Sequence, residues 1–136
     1  MRVFVDTNVL IDLVCSREGF VENAQHLFAL GYMRSITLML SSLSLVNTVY
    51  VARKYGYSEV FGALKKISSF VDIVDLRGSA AVDALSCDWK DYEDAVQYQS
   101  SVLSSAECID TRNKKDFSLS SIPVYTVEEF LKIRQQ

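Results

Sequence analysis

Arg2-Val3-Phe4-Val5-Asp6-Thr7-Asn8 is the stretch on which the fold turns. Three consecutive apolar residues, two of them valines, read as a strand buried on both faces. A carboxylate, Asp6, stands where that strand ends. Thr7 and Asn8 follow it, and both favour caps and turns. In an open α/β sheet the ends of the strands face the crevice where ligands bind. Asp6 therefore has two readings: the N-cap of the next helix, or a site residue. Other parts of the chain bear on the choice.

Strands and helices alternate from there. Val9 to Val14 is a short buried helix. Phe20, Val21, Ala24, Leu27, Phe28 and Leu30 recur at helical spacing, with Gly31 as the stop. Ile36 to Leu40 is a second strand, capped by Ser41-Ser42. A helix over Leu43 to Lys54 has Leu43, Val46, Tyr50 and Val51 as its inner face, with Asn47 among them. After Gly56, Ser58 caps a helix that runs to Phe70. Val71 to Leu76 is a third strand, and Gly78 to Leu85 is helical. Asp91 then starts a helix to Leu103 with Tyr92, Ala95, Val96, Val102 and Leu103 as its apolar stripe. Asp91, Asp94 and Tyr98 share one flank of it, and Glu93 points elsewhere. Glu107 to Thr111 is a short strand, 112–117 a polar loop, Pro123 to Thr126 an edge strand, and Val127 to Arg134 a final helix. This alternation predicts an α/β fold, a central parallel sheet with helices on both faces.

Composition bounds the function. The 136 residues suit one domain, 1–136. A net charge of -3 excludes holding nucleic acid by bulk attraction, so any such contact is local or bridged by metal. The three cysteines form no C-x-x-C pair, which argues against disulfides and zinc and fits a reducing, cytoplasmic setting. No apolar run reaches membrane-spanning length and no secretory leader pattern is seen. The one histidine, His26, falls on a polar helix face with no second ligand near it and reads as solvated.

Three carboxylates stand at positions that suit chemistry. Asp6 follows the first strand, Asp94 opens a helix, and Asp116 lies in the loop after a later strand. Loops that follow parallel strands gather at one edge of the sheet. Clustered carboxylates raise one another's pKa unless a cation neutralises them. Aspartates without histidine or thiol partners favour Mg²⁺ or Mn²⁺. The residues alone thus point to a metal-dependent phosphodiesterase site. For Asp94 a plainer role stands beside this one: with Asp91 as N-cap, acids suit a helix start.

The order of elements and motifs resembles the PIN domain family, of which the VapC-type toxins of bacterial toxin–antitoxin pairs are members. Its marks are Val3-Phe4-Val5-Asp6-Thr7-Asn8-Val9-Leu10, Asp91-Tyr92-Glu93-Asp94-Ala95-Val96-Gln97-Tyr98 and Thr111-Arg112-Asn113-Lys114-Lys115-Asp116-Phe117. The resemblance spans essentially the whole chain. It implies a PIN fold with an acidic pocket for Mg²⁺ or Mn²⁺ and single-strand ribonuclease chemistry. It implies Asp6, Asp94 and Asp116 as catalytic and metal-holding acids, with Thr7, Thr111 and Asn113 in support. An antitoxin protein and a second copy of the chain are the partners it implies, beside RNA. Arg112, Lys114 and Lys115 sit next to Asp116 and are candidates for RNA phosphates. The chain departs from the family at Asn47, where an acid is expected; an amide can coordinate through its carbonyl oxygen but supplies no charge. Asp110 is a second departure, read as a surface residue or a replacement for the missing charge. Asn47 also supports an alternative, a catalytically weak PIN-like module that binds RNA or protein.

Overall fold

The apolar run at the start of the chain becomes β1 (Arg2–Val5), the middle strand of a five-stranded sheet in the computed structural model, which describes residues 1–135. The chain then runs through α1 (Thr7–Val14), α2 (Val21–Tyr32), β2 (Thr37–Ser41), α3 (Ser42–Ala52), a 3-10 turn (Arg53–Tyr55) and α4 (Tyr57–Ser68). It continues through β3 (Asp72–Val74), α5 (Gly78–Ala84), α6 (Tyr92–Leu103), β4 (Cys108–Asp110), a second 3-10 turn (Lys114–Phe117), β5 (Val124–Tyr125) and α7 (Val127–Arg134). Strand order is β3-β2-β1-β4-β5 and every pairing is parallel.

Period-two alternation in β1 sorts the core into two layers. Val3 and Val5 face α1, α2, α4 and α7, packing with Leu10, Leu27, Leu64 and Phe130. Phe4 faces the other way, with Met39, Ile109 and Phe117. Val3, Phe4 and Val5 are fully buried, and each side chain of that size contributes about 1.5–3 kcal/mol by leaving water. Burial on both faces is why the strand reads as an unbroken apolar run. The chain leaves β1 toward β2 on one side, while β4 pairs on the other. The strand order therefore reverses between β1 and β4, the place where an open α/β sheet opens a crevice. The Asp6 N–H donates to the Asp110 carbonyl at 3.0 Å there, fixing the two strand ends together.

Several local expectations change. Gly31 does not end α2. It lies inside the helix against Leu38, where an added Cβ would come within 2.5 Å of Leu38 Cδ1. The helix runs on to Tyr32, and Arg34 just beyond it lies in the left-handed region at φ 58°. Ser35 N–H reaches back to Leu30 O and Arg34 N–H to Gly31 O, the two bonds of a Schellman turn. Ser16 and Ser105 end α1 and α6 in the same way. The start of α4 is Gly56, at φ 96°, rather than Ser58. The inner face of α3 is Ser44, Thr48 and Ala52, with Val46 and Tyr50 about two-thirds exposed. Small side chains there let α3 lie close on its neighbours, and one of them, Ser44, bonds Thr7 at the start of α1. In α6 the buried face is Ala95, Val96, Gln97, Ser100 and Ser101, while Tyr92, Val102 and Leu103 are exposed. Both helices hide polar atoms, which a hydrophobic pattern cannot register. Asp110 is not on the surface: it is fully buried, and its Oδ2 has no hydrogen-bond partner among the described residues. Among the described residues, no helix is long and apolar enough to cross a membrane.

Candidate functional site

Asp6 is both a cap and a member of a carboxylate group. As N-cap of α1, its Oδ1 accepts the Thr7 N–H at 2.8 Å. Its Oδ2 accepts the Thr111 hydroxyl at 2.8 Å, and Thr111 Oγ1 in turn accepts the Asn113 N–H at 3.2 Å. The loops after β1 and β4 thus hold the carboxylate from two sides, with Thr7, Thr111 and Asn113 as its supports. Burial pushes the Asp6 carboxyl up to about 6, against the opposing pull of the Thr111 and Thr7 bonds.

Asp94 lies in the first turn of α6, behind the N-cap Asp91, whose Oδ1 accepts the Asp94 N–H at 3.0 Å. The capping role is therefore real. The side chain does something further. Burial pushes its carboxyl up to about 7, and the charges of Asp6, Asp91, Asp116 and Glu93 push the same way. Five carboxylates from three parts of the chain therefore feel one another at the strand ends. Asp94 and Asp116 line a cleft of about 460 Å³ with Trp89, Lys90, Asp91 and Lys115. Asp6, 6% exposed, is not part of that lining. Among the described residues, no three His, Cys, Asp or Glu side chains stand close enough to form a ready-made cation cage. The donor set still suits a hard divalent cation: it is all oxygen, it carries excess negative charge, and the raised carboxyls of Asp6 and Asp94 would be relieved by one.

Glu93 lies off the Asp91–Asp94 flank, in a separate hollow with Asn47 and Tyr92, yet it acts on the acids through its charge. Asn47 Nδ2 donates to its Oε1 at 2.9 Å, and its charge raises both Asp6 and Asp94. A neutral amide on α3 thus holds an acid of α6 in place. Asp110, the other candidate for a replacement charge, lies on the face of the sheet that carries Cys108 and Val5. Burial raises its carboxyl well above the usual range. Burial and Asp110 likewise push the Cys108 thiol up to about 12.

The three basic candidates separate. Lys115 lines the cleft, and so does Lys90, which the sequence reading passed over. Lys114 pairs with Glu129 at 3.1 Å. Arg112 Nη1 sits 3.0 Å from the buried Asp12 carboxylate, with its guanidinium over the Phe20 ring at 4.6 Å. Sequence reasoning also missed Gln97, Ser41 and Ser44, which join Thr7 in a buried polar group. The available signal was spacing: Gln97 falls three residues after Asp94, on the same helix flank.

A family model described as PIN domain matches residues 2–115. No curated protein matches the chain. Solved structures do. A toxin–antitoxin complex from Klebsiella pneumoniae is 24% identical, with 92% of this chain and 97% of that chain covered at a TM-score of 0.67. VapC20 of Mycobacterium tuberculosis, a Sarcin-Ricin loop cleaving toxin, is 16% identical over 86% and 94% of the two chains, at 0.68. VapBC2 from Rickettsia felis, bound to a promoter DNA fragment, is 16% identical over 92% and 97%, at 0.67. At these identities the likeness is one of fold.

Proposed function

The chain belongs to the PIN domain family, and on that premise we propose that it is a metal-dependent endoribonuclease, the toxin of a toxin–antitoxin pair. The observation that carries the reading is the electrostatics of Asp94: its carboxyl is pushed to about 7 in part by the charges of Asp6 and Asp116, the two acids from the loops after β1 and β4. Asp6, Asp94 and Asp116 would hold Mg²⁺ or Mn²⁺. Such a cation, when bound, supplies a nucleophilic water at neutral pH and offsets charge on the phosphoryl oxygens. The Thr7 N–H and Thr111 hydroxyl orient Asp6 so that its lone pairs are aimed rather than free to turn. The Lys115 and Lys90 ammonium groups stand in the same cleft and would meet phosphates of a single RNA strand. Local contacts of this kind are what a chain of net charge -3 requires.

The partner reading draws on the Klebsiella pneumoniae toxin–antitoxin complex and on VapBC2 from Rickettsia felis. By the same likeness the chain pairs with an antitoxin protein; pairing with a second copy of itself is inferred from the family resemblance and from two-fold pairs being the commonest oligomers. A second reading, a weakly catalytic module that binds RNA or protein, is favoured by Asn47, a neutral residue beside the acids. Thermal unfolding with and without Mn²⁺ separates the two. A competent site raises the transition by mass action, and Asp94→Asn abolishes that rise. No rise in the wild type would favour the binding module.

A further inference from the structure

Beside the carboxylates, four polar side chains are shut away from water. Thr7, Ser41, Ser44 and Gln97 are at most 6% exposed, and they come from the start of α1, the end of β2, the first turn of α3 and the middle of α6. Buried polar groups are costly unless bonded, and here the bonds are made. Gln97 Nε2 donates to Thr7 Oγ1 at 2.9 Å and to Ser44 Oγ at 2.8 Å, while its Oε1 accepts the Ser41 hydroxyl at 2.6 Å. Both amide protons are committed. Thr7 Oγ1 and Ser44 Oγ are 2.8 Å apart and close the group.

What this group holds gives it a direction. Thr7 follows Asp6 directly, and the Thr7 N–H is the donor to Asp6 Oδ1. Gln97 lies three residues after Asp94 on α6, so clamp and acid ride on the same helix flank. The two carboxylates come from elements far apart in the chain and repel each other. Something must fix their separation when no cation does so. A leucine at 97 would fill the space but leave Thr7, Ser41 and Ser44 without their amide partner.

We propose that Gln97 is a positioning residue: its amide ties α6 to the start of α1 through Thr7 and so sets Asp6 and Asp94 in register for a divalent cation. The proposal rests on the reading of these acids as cation ligands.

The test is calorimetric titration of Mn²⁺ into the intact wild-type chain, Gln97→Met, Thr7→Val and the double variant. Unfolding in EDTA establishes that each is folded at the titration temperature. Groups that orient ligands typically alter metal affinity by about 10–100-fold. Gln97→Met is expected to weaken Mn²⁺ binding by at least about tenfold within that range. Thr7→Val is expected to do the same, and the double variant to be no weaker than either single one, because both cut the same link. Should Gln97→Met fail to fold, Thr7→Val carries the test from the other end. Wild-type affinity in a folded Gln97→Met, or in Thr7→Val, overturns the proposal, since a merely structural amide lowers stability without altering affinity. Losses that add in the double variant overturn it too. No Mn²⁺ binding by the wild type would overturn the ligand reading itself, and the proposal with it.

Discussion

Replacing Asp6 by asparagine should make the metal-free protein more stable at alkaline pH and less stable in acid. The folded protein holds the Asp6 carboxyl at about 6 against an ordinary value of 3.8. Between those values the folded state binds the proton more tightly than the unfolded one, so stability falls as pH rises through the window. Below 3.8 both states are protonated and the group contributes nothing; above 6 the loss is complete. One pKa unit is about 1.4 kcal/mol, which makes the full loss about 3 kcal/mol. Asparagine removes it but offers one acceptor oxygen to two donors, the Thr7 N–H and the Thr111 hydroxyl, at a cost of about 1 kcal/mol. The net gain for Asp6→Asn is about 2 kcal/mol at pH 8, and the net loss at pH 4 is within about 1 kcal/mol. Removing the Asp6 charge also relieves Asp94, which acts in the same direction. Urea unfolding in EDTA at several pH values measures both curves, and taking their difference cancels other titrating groups such as Asp110. The curves should cross between pH 4 and 8. Parallel curves would refute the reasoning, since Asp6 would then ionise as freely in the fold as in the open chain.

Asn47→Asp places a carboxylate where Asn47 now donates to Glu93 at 2.9 Å; the metal-free protein should lose about 1–2 kcal/mol, and Mn²⁺, by relieving the repulsion, should stabilise this variant more than the wild type. Equal Mn²⁺-induced shifts in thermal unfolding would mean that Asn47 stands outside the cation's field. Asp110→Val replaces a buried acid whose Oδ2 is unpartnered among the described residues, and should raise stability at pH 7 by about 1–3 kcal/mol, read by urea unfolding; a destabilised variant would show that Asp110 has a role of its own. Mn²⁺ affinity should rise with pH and level off above about 7, because the cation must displace the protons held by Asp6 and Asp94; calorimetry giving a flat profile from pH 5 to 8 would contradict both shifts. The chain should run as a dimer, so light scattering that finds only a 15.3 kDa particle at high concentration would refute self-association.

The parallel sheet was legible because β1 is buried on both faces and says so in three residues. That Asp6 and Asp116 come near Asp94 was legible because each follows a strand or opens a helix. Helix ends were not, since Ser16, Arg34 and Ser105 take the left-handed conformation normally given to glycine. The inner faces of α3 and α6 were misread for a related reason. A hydrophobic stripe marks Val46 and Tyr50 as core, yet Ser44 and Gln97 are the side chains inside. Hydroxyl and amide groups can be buried when they bond one another, and such bonds between distant elements leave no periodic trace. Arg112 shows the same limit: adjacency to Asp116 suggested phosphate, while the fold sets its guanidinium on Asp12.

The most direct test of the account is cleavage of a single-stranded RNA by the purified chain with Mn²⁺, beside Asp6→Asn, Asp94→Asn and Asp116→Asn variants shown to be folded. Metal-dependent hydrolysis by the wild type, lost in EDTA and lost in each variant, is the predicted result. Cleavage that persists in EDTA, or in all three variants, would contradict it.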